Sequence, residues 1–289
     1  SKSFNKLLRG VTLGATIRQT RGDIHAHYDL GNSFYSLWLD PSMTYSSAWF
    51  KSSDESLTQG QFNKYNKIIS SIEVKSGDKI LEIGCGWGGL MEQAILQGIH
   101  VDGLTISQEQ FDYANKRISK IDDHHATGQP ILRDYRDHFG QYDGIASIEM
   151  FEAVGEQYWD SYFKTVHDCL KPGKKACIQT IVIAAELFDK YRKSSDFIQQ
   201  YVFPGGMLPS IDLFKKFATQ HGLEVISVDY FGKDYRRTLI AWHQTFNREL
   251  PAIKKLGFDD RFIRLWNLYL MYCAAGFGDG SKNYVPGQR

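Results

Sequence analysis

Glu82-Ile83-Gly84-Cys85-Gly86-Trp87-Gly88-Gly89 has the residue types and spacing of a nucleotide-cofactor turn. Gly84 and Gly86 would let the backbone bend tightly and approach a ligand closely, with no Cβ in the way. A dinucleotide fingerprint would read G-x-G-x-x-G, with an acid roughly 20 residues further on at the end of the next strand. Here the third glycine comes one position early, Asp102 falls inside the next apolar run, and Thr105 occupies its end. That spacing favours a ligand with no pyrophosphate to seat on a helix N-terminus, and S-adenosylmethionine is one. A turn that only packs strand against helix remains the alternative.

Such a turn needs a strand to feed it and a helix to leave it. Lys79–Ile83 reads as a buried strand, 90–97 as the helix that follows and His100–Thr105 as a second strand. Ser107 is the expected N-cap of a helix over 108–119, its hydroxyl accepting an orphan backbone N–H. Residues 143–149 and 175–183 read as further strands, with Pro172-Gly173 marking the turn before the latter. Strands alternating with helices predict an α/β fold, a doubly wound and mostly parallel Rossmann-like sheet. The chain divides as one domain: a helical cap at 1–75, a cofactor-binding core at 76–183, a lid insertion at 184–222 and a C-terminal part at 223–289. The insertion includes Phe203-Pro204-Gly205-Gly206-Met207-Leu208-Pro209-Ser210 and returns to a helix over 211–222. Beyond it, 223–230 reads as a strand, 238–250 as strand or helix, and 262–277 as an aromatic-rich helix.

Composition narrows the class. Hydrophobic residues at 42% and charged residues at 23% are ordinary for a globular protein, and a net charge of +1 argues against bulk nucleic-acid binding. Cys85, Cys169, Cys177 and Cys273 form no CxxC pair and no metal spacing, which fits a reducing, cytoplasmic compartment. No run of about 18 apolar residues predicts a transmembrane helix, and the N-terminus has no signal-peptide h-region. Lys2, Lys6, Arg9, Arg18 and Arg21, with no acid among the first 22 residues, read either as attraction to an anionic membrane or as a solvated terminus.

Further segments narrow the reading. They are His27-Tyr28-Asp29-Leu30-Gly31-Asn32 with Leu39-Asp40-Pro41, Met43-Thr44-Tyr45-Ser46-Ser47-Ala48, Gly103-Leu104-Thr105-Ile106-Ser107 with Gln110, and the 203–210 stretch. With the glycine turn, they make the chain resemble the cyclopropane-fatty-acyl-phospholipid synthase family, including the mycolic acid cyclopropane synthases, from about residue 27 to 277. Coclaurine N-methyltransferases and sphingolipid C-methyltransferases share many of these motifs, and the extra N-terminal domain of some bacterial members has no counterpart here. The resemblance implies a class I S-adenosylmethionine-dependent methyltransferase. It would hold the cofactor through Tyr45 and Ser46 at the methionine end, Glu82, Gly84 and Gly86 beneath it, Thr105, Ile106 and Gln110 near ribose and adenine, and Tyr135 beside the adenine. It also implies an unsaturated phospholipid acyl chain as partner, at a membrane surface to which the protein binds peripherally. Whether the protein forms a homodimer stays open.

Adding a carbon to an unactivated C=C requires the reactants to be held in line and the resulting cation to be kept from water. Aromatic faces suit such a pocket. Tyr28, Phe34, Tyr35, Trp38, Tyr45, Trp49, Phe50, Trp266, Tyr269 and Tyr272 could supply them, and fewer than half are expected to touch ligand. A base must then take a proton. In the family the resemblance points to, a bound bicarbonate does so, and the matching positions here are Ser47, Glu152, Gln179, the Ile181 backbone and Tyr235. Serine replaces a cysteine, Gln179 and Ala153 replace histidines, and Glu152 could instead be the base itself or merely cap a helix. The resemblance implies carbon transfer to the C=C of a phospholipid acyl chain with a cyclopropane as the leading product; a methylene or methyl-branched product, methylation of a small amine, and a non-catalytic cofactor- or lipid-binding relative are the alternatives.

Overall fold

The computed structural model describes residues 30–121, 125–193, 197–203 and 205–277. The basic N-terminal residues, the His27–Asp29 part of the first motif with Tyr28, and Pro204 lie outside them.

Five strands form one parallel sheet: β1 (Lys79–Ile83), β2 (His100–Thr105), β3 (Gly128–Leu132), β4 (Tyr142–Ile148) and β5 (Leu170–Gln179), in the order β3-β2-β1-β4-β5. Successive residues of the central strands feed opposite cores. Leu81, Ile83, Leu104 and Ile145 pack on one face, and Ile80, Val101 and Ala146 on the other. Burial on both faces is why these strands are nearly continuous apolar runs. The chain winds from β1 outward to β3, then returns to lay β4 on the other side of β1. That reversal opens a crevice at the carboxyl ends of β1 and β4, the place where open α/β sheets bind ligands.

Helices cover both faces. α1 (Asn32–Trp38) and α2 (Leu57–Ser71) precede the sheet; α3 (Gly89–Ile95), α4 (Gln108–Ile118) and α5 (Trp159–Cys169) connect its strands. α6 (Ala185–Lys193), α7 (Phe197–Tyr201) and α8 (Ile211–Gln220) occupy the insertion, and α9 (Gly232–Arg248), α10 (Leu250–Lys255) and α11 (Asp260–Gly276) complete the described chain. Ser107 caps α4 as expected, accepting from Gln110 N–H at 3.3 Å. Ser56 and Gln59 cap α2 reciprocally.

Two sequence expectations are corrected and an open one is resolved. β5 begins at Leu170, ahead of Pro172-Gly173, and ends at Gln179 rather than 183; an irregular register beside Tyr142 and Gly144 absorbs the proline-glycine pair. The strand expected over 223–230 does not form beyond a lone bridge at Ser227, and Ile226 and Tyr230, on the face that alternation turns outward, are exposed. Residues 238–250 are helical, mostly within α9.

A separate aromatic core joins the first and last helices of the described residues. Phe34, Tyr35 and Trp38 of α1 pack with Trp242 and Phe246 of α9 and with Trp266 and Tyr269 of α11. Trp87, from the glycine turn, is buried in the same cluster and donates its Nε1–H to Asn32 Oδ1 at 2.6 Å.

Candidate functional site

The crevice holds a cavity of about 1130 Å³, including its solvent-open mouth. Tyr45, Ser46, Glu82, Gly84, Gly86, Thr105, Ile106, Gln110 and Tyr135 all line it, so the structure gathers every residue expected around the cofactor. Gly84, at φ +84°, has no room for a side chain, since a Cβ there would stand 2.7 Å from Met150 Cγ. Gly86, at φ +52°, is the reverse case: a Cβ would meet nothing within 4 Å and would project into space a ligand can use.

The 43–47 loop is tied down from several sides. Ser42 Oγ donates to the Asp40 carboxylate at 2.7 Å, Thr44 Oγ1 and Tyr65 Oη share a hydrogen bond at 2.6 Å, and Arg117 donates to the Ser42 carbonyl at 2.8 Å. Tyr45 Oη meets Tyr269 Oη at 2.8 Å, which links the loop to α11. Across the cavity Thr105 Oγ1 donates to Gln110 Oε1 at 2.8 Å, so these two polar groups orient each other.

S-adenosylmethionine fits this cradle. Glu82 is buried on the floor, and its Oε2 has no hydrogen-bond partner among the described residues, a costly state for a carboxylate oxygen. An ammonium or ribose hydroxyl would satisfy it. Burial raises the Glu82 carboxyl well above the usual carboxylate range, and the charge of Lys64 pulls it back. Lys64, which sequence reasoning missed, is itself buried on α2 and donates to Ser46 Oγ at 2.6 Å. Its ammonium is pushed down to about 7 by burial, against the attraction of Glu149, Asp40 and Glu82.

The expected bicarbonate site comes out differently. Glu149, the residue that leaves β4, places its carboxylate among the groups assigned to that ion. Its Oε1 accepts from Ser47 N–H at 2.9 Å and from Gln179 Nε2 at 2.8 Å, and its Oε2 from Tyr235 Oη at 2.6 Å. Ile181 N–H donates to Glu152 Oε1 instead. Ser47 takes part through its backbone N–H, because its hydroxyl donates to the Ala48 carbonyl at 3.0 Å. A small oxyanion would find these donors taken, so the residues present do not fit bicarbonate. Glu152 does not act as a helix cap: it sits in a short 3-10 turn, and its carboxylate reaches across to Ile181 beyond the end of β5.

Sequence reasoning passed over Glu149, and the feature that marks it is visible only in the structure. Glu149 is a non-glycine residue at φ +47°, a costly left-handed conformation that clusters at functional sites. Of the aromatic residues considered for the pocket, Tyr45 lines the cavity; Phe34, Tyr35, Trp38, Trp266 and Tyr269 are buried in the aromatic core. Trp49 packs on Phe231 and Lys67, and Phe50 lies beneath Arg237.

Glu149 and Glu152 interact, and both carboxyls are raised, foremost by burial; Glu152 is pushed up to about 8, with the charge of Glu149 as the second cause. Between pH 4.5 and 8 the folded state therefore holds a proton at Glu152 that the unfolded chain releases. This group's contribution to stability is complete below 4.5 and is lost as the pH rises through 8. Glu152→Gln removes that dependence while leaving Glu149 and Lys64 in place. The variant's melting temperature minus that of the wild type should rise steadily from pH 4.5 to 8 in thermal melts, and a flat difference would refute the shift.

The description mycolic acid cyclopropane synthetase matches residues 15–285 of the chain. A tuberculostearic acid methyltransferase of Mycobacterium tuberculosis is 36% identical over 270 residues, covering 91% of this chain and 63% of that protein. A cyclopropane-fatty-acyl-phospholipid synthase of Escherichia coli is 37% identical over 254 residues, covering 87% of this chain and 63% of that protein. The chain thus spans less than two thirds of the length of these two relatives. Among solved structures, a cyclopropane synthase from Mycobacterium tuberculosis superposes with a TM-score of 0.86 at 26% identity, over 93% of this chain and 97% of that one. A mycolic acid cyclopropane synthase complexed with SAH and CTAB superposes with a TM-score of 0.85 at 27% identity, over 93% of this chain and 98% of that one.

Proposed function

The chain belongs to the mycolic acid cyclopropane synthetase family; from that premise we propose that it is an S-adenosylmethionine-dependent methyltransferase that adds one carbon to the C=C of an unsaturated acyl chain in a phospholipid. The observation that carries this reading is the pair of buried carboxylates, Glu149 and Glu152, set beside the cofactor cavity and braced by Tyr235 and Gln179. Methylation of an amine needs no such acid-lined, water-poor corner, because the nitrogen's own proton leaves easily; proton removal from a transferred methyl does need it.

The cofactor, when bound, supplies an electrophilic methyl on a sulfonium sulfur. The residues of this chain do the rest. Gly84 and Gly86 open the floor, Tyr45 and Ser46 close the methionine end, and Thr105, Ile106, Gln110 and Tyr135 line the adenosine end. Holding methyl and alkene in line replaces roughly 7–11 kcal/mol of entropic barrier at best. The aromatic core behind Tyr45 keeps that side dry. Incubation with methyl-labelled cofactor and vesicles of unsaturated phospholipid should yield acyl chains one CH₂ heavier. No labelled acyl chain would overturn the reading. The 36% identity to a relative named as a methyltransferase of a fatty acid favours a second reading, in which the added carbon remains a methylene or methyl branch; cyclopropane proton signals in the product separate the two.

A surface feature supports docking on lipid. Leu268, Met271 and Tyr272 of α11 lie at i, i+3 and i+4, so they share one helix face, and each is exposed. No helix of the described residues is long and apolar enough to cross a membrane. The double substitution Leu268→Glu, Met271→Glu should reduce co-sedimentation with unsaturated phospholipid vesicles several-fold while leaving cofactor affinity unchanged. Undiminished binding would remove this face from the docking surface.

A further inference from the structure

Four groups that a bound bicarbonate would need, Ser47 N–H, Gln179 Nε2, Tyr235 Oη and Ile181 N–H, already have carboxylate partners supplied by the chain. Three of the four converge on Glu149. We propose that Glu149 is the catalytic base, a side-chain carboxylate standing where relatives would hold a diffusible anion, and that the enzyme turns over without bicarbonate. This rests on the acyl C=C reading above.

Three observations converge on it. A carboxylate and a bicarbonate are both planar single anions with two oxygen acceptors, so the same donors can orient either. Of the two acids in this corner, Glu149 also lines the cofactor cavity, whereas Glu152 has one oxygen turned to Ile181 N–H and the other buried without a hydrogen-bond partner among the described residues. The backbone at Glu149 is held at φ +47°, a strain that places its side chain. Burial raises the Glu149 carboxyl, the bond from Tyr235 and the charge of Lys64 oppose the rise, and the result is an anion more basic than an exposed glutamate.

The step balances as follows. The alkene's π pair bonds to the incoming methyl carbon, the pair of the broken C–S bond stays on sulfur, and the other alkene carbon is left cationic. Glu149 then takes a proton from the newly bound methyl. The freed C–H pair closes the bond to the cationic carbon, giving a three-membered ring and a neutral Glu149 acid, which returns its proton to solvent before the next turnover.

The test uses the full chain with cofactor and unsaturated phospholipid vesicles, in buffer stripped of carbon dioxide. Wild-type turnover should change by less than about twofold when bicarbonate is restored. Glu149→Gln keeps the shape but loses the base, and should slow turnover by about 10²–10⁴-fold with no rescue by bicarbonate. Glu149→Gly suits the positive φ and vacates the anion's place, so added bicarbonate should restore turnover in a saturable way. A titration with ¹³C-bicarbonate followed by NMR reads the same point without turnover: Glu149→Gly should bind and the wild type should not. Thermal melts confirm that each variant is folded, and Glu149→Ala substitutes if the glycine variant is not. Bicarbonate-dependent wild-type turnover, saturable binding of labelled bicarbonate by the wild type, an active Glu149→Gln, or a folded glycine variant indifferent to bicarbonate would each overturn the proposal. Absence of methyl transfer to any acyl chain would overturn the proposed function instead, and the NMR arm would still decide whether Glu149 fills the anion's place.

Discussion

Gly84→Val should lower S-adenosylmethionine affinity by at least about a hundredfold, read by isothermal titration calorimetry. Two effects act together. At φ +84° a β-branched side chain is forced into a conformation that costs roughly 1–2 kcal/mol. Its Cβ would also stand 2.7 Å from Met150 Cγ and 2.9 Å from Met150 Cβ, atoms too near the backbone to swing aside. The turn or the start of the Met150 segment must therefore move. A displacement of about 1 Å in a positioning element can cost on the order of 10²-fold. The same shift would disturb Glu149, the neighbour of Met150, so residual turnover should fall further than affinity does. Gly86→Ala is the contrast: its Cβ meets no atom of the described residues within 4 Å, so it carries only the left-handed backbone cost of roughly 1–2 kcal/mol at φ +52°. It should weaken binding with a modest loss of stability and no displacement of the Met150 segment. Unchanged affinity in Gly84→Val would place the cofactor elsewhere.

Trp38→Ala should cost about 3–5 kcal/mol of folding stability, read as a fall in the urea midpoint and in Tm. Trp38 is 1% exposed and has ring contacts with Phe34, Tyr35, Tyr45, Trp242, Phe246 and Trp266. Removing the indole leaves a void that neighbours from three helices cannot close together. Its Nε1–H has no hydrogen-bond partner among the described residues, so Trp38→Phe loses volume without losing a hydrogen bond there and should cost much less. Because Tyr45 packs on Trp38 at 5.5 Å between ring centroids, the alanine variant should also bind cofactor more weakly. A loss below about 1 kcal/mol would mean that the aromatic core is not a cooperative part of the fold.

The cofactor half of the site was legible in the sequence because its determinants are local. Gly84 and Gly86 signal a tight turn through their own conformational freedom, whereas Thr105 and Gln110 are reached through the family resemblance, since strand-end and helix-surface polarity alone would account for them. The acid corner was not legible to the same degree. Glu149 reads as the last polar residue of an apolar strand, and its meaning comes from Ser47, Gln179 and Tyr235, whose separations from it are 102, 30 and 86 residues. Lys64 hides for the same reason: on a helix with Lys67, it looks like one of several solvated lysines until packing buries it. The 223–230 segment failed in the other direction. Its alternating pattern is a real strand signal, but the segment makes a lone bridge at Ser227 rather than a continuous ladder, so alternation alone did not yield a strand.

Several walls of the crevice come from outside the βα core. Tyr45 and Ser46 precede β1, with Lys64 bracing Ser46 from behind, and Tyr235, beyond the insertion, braces Glu149, so the sheet contributes the floor and the flanks complete and support the enclosure. The familiar Rossmann-like unit is therefore not a portable module in this protein. A fragment trimmed to 76–183 would keep the glycine turn and lose Lys64, the only cation among the causes acting on the buried Glu82 carboxyl. Grafts or truncations built from this chain have to carry both flanks, and any circular permutation has to cut where neither flank is separated from β1 and β4.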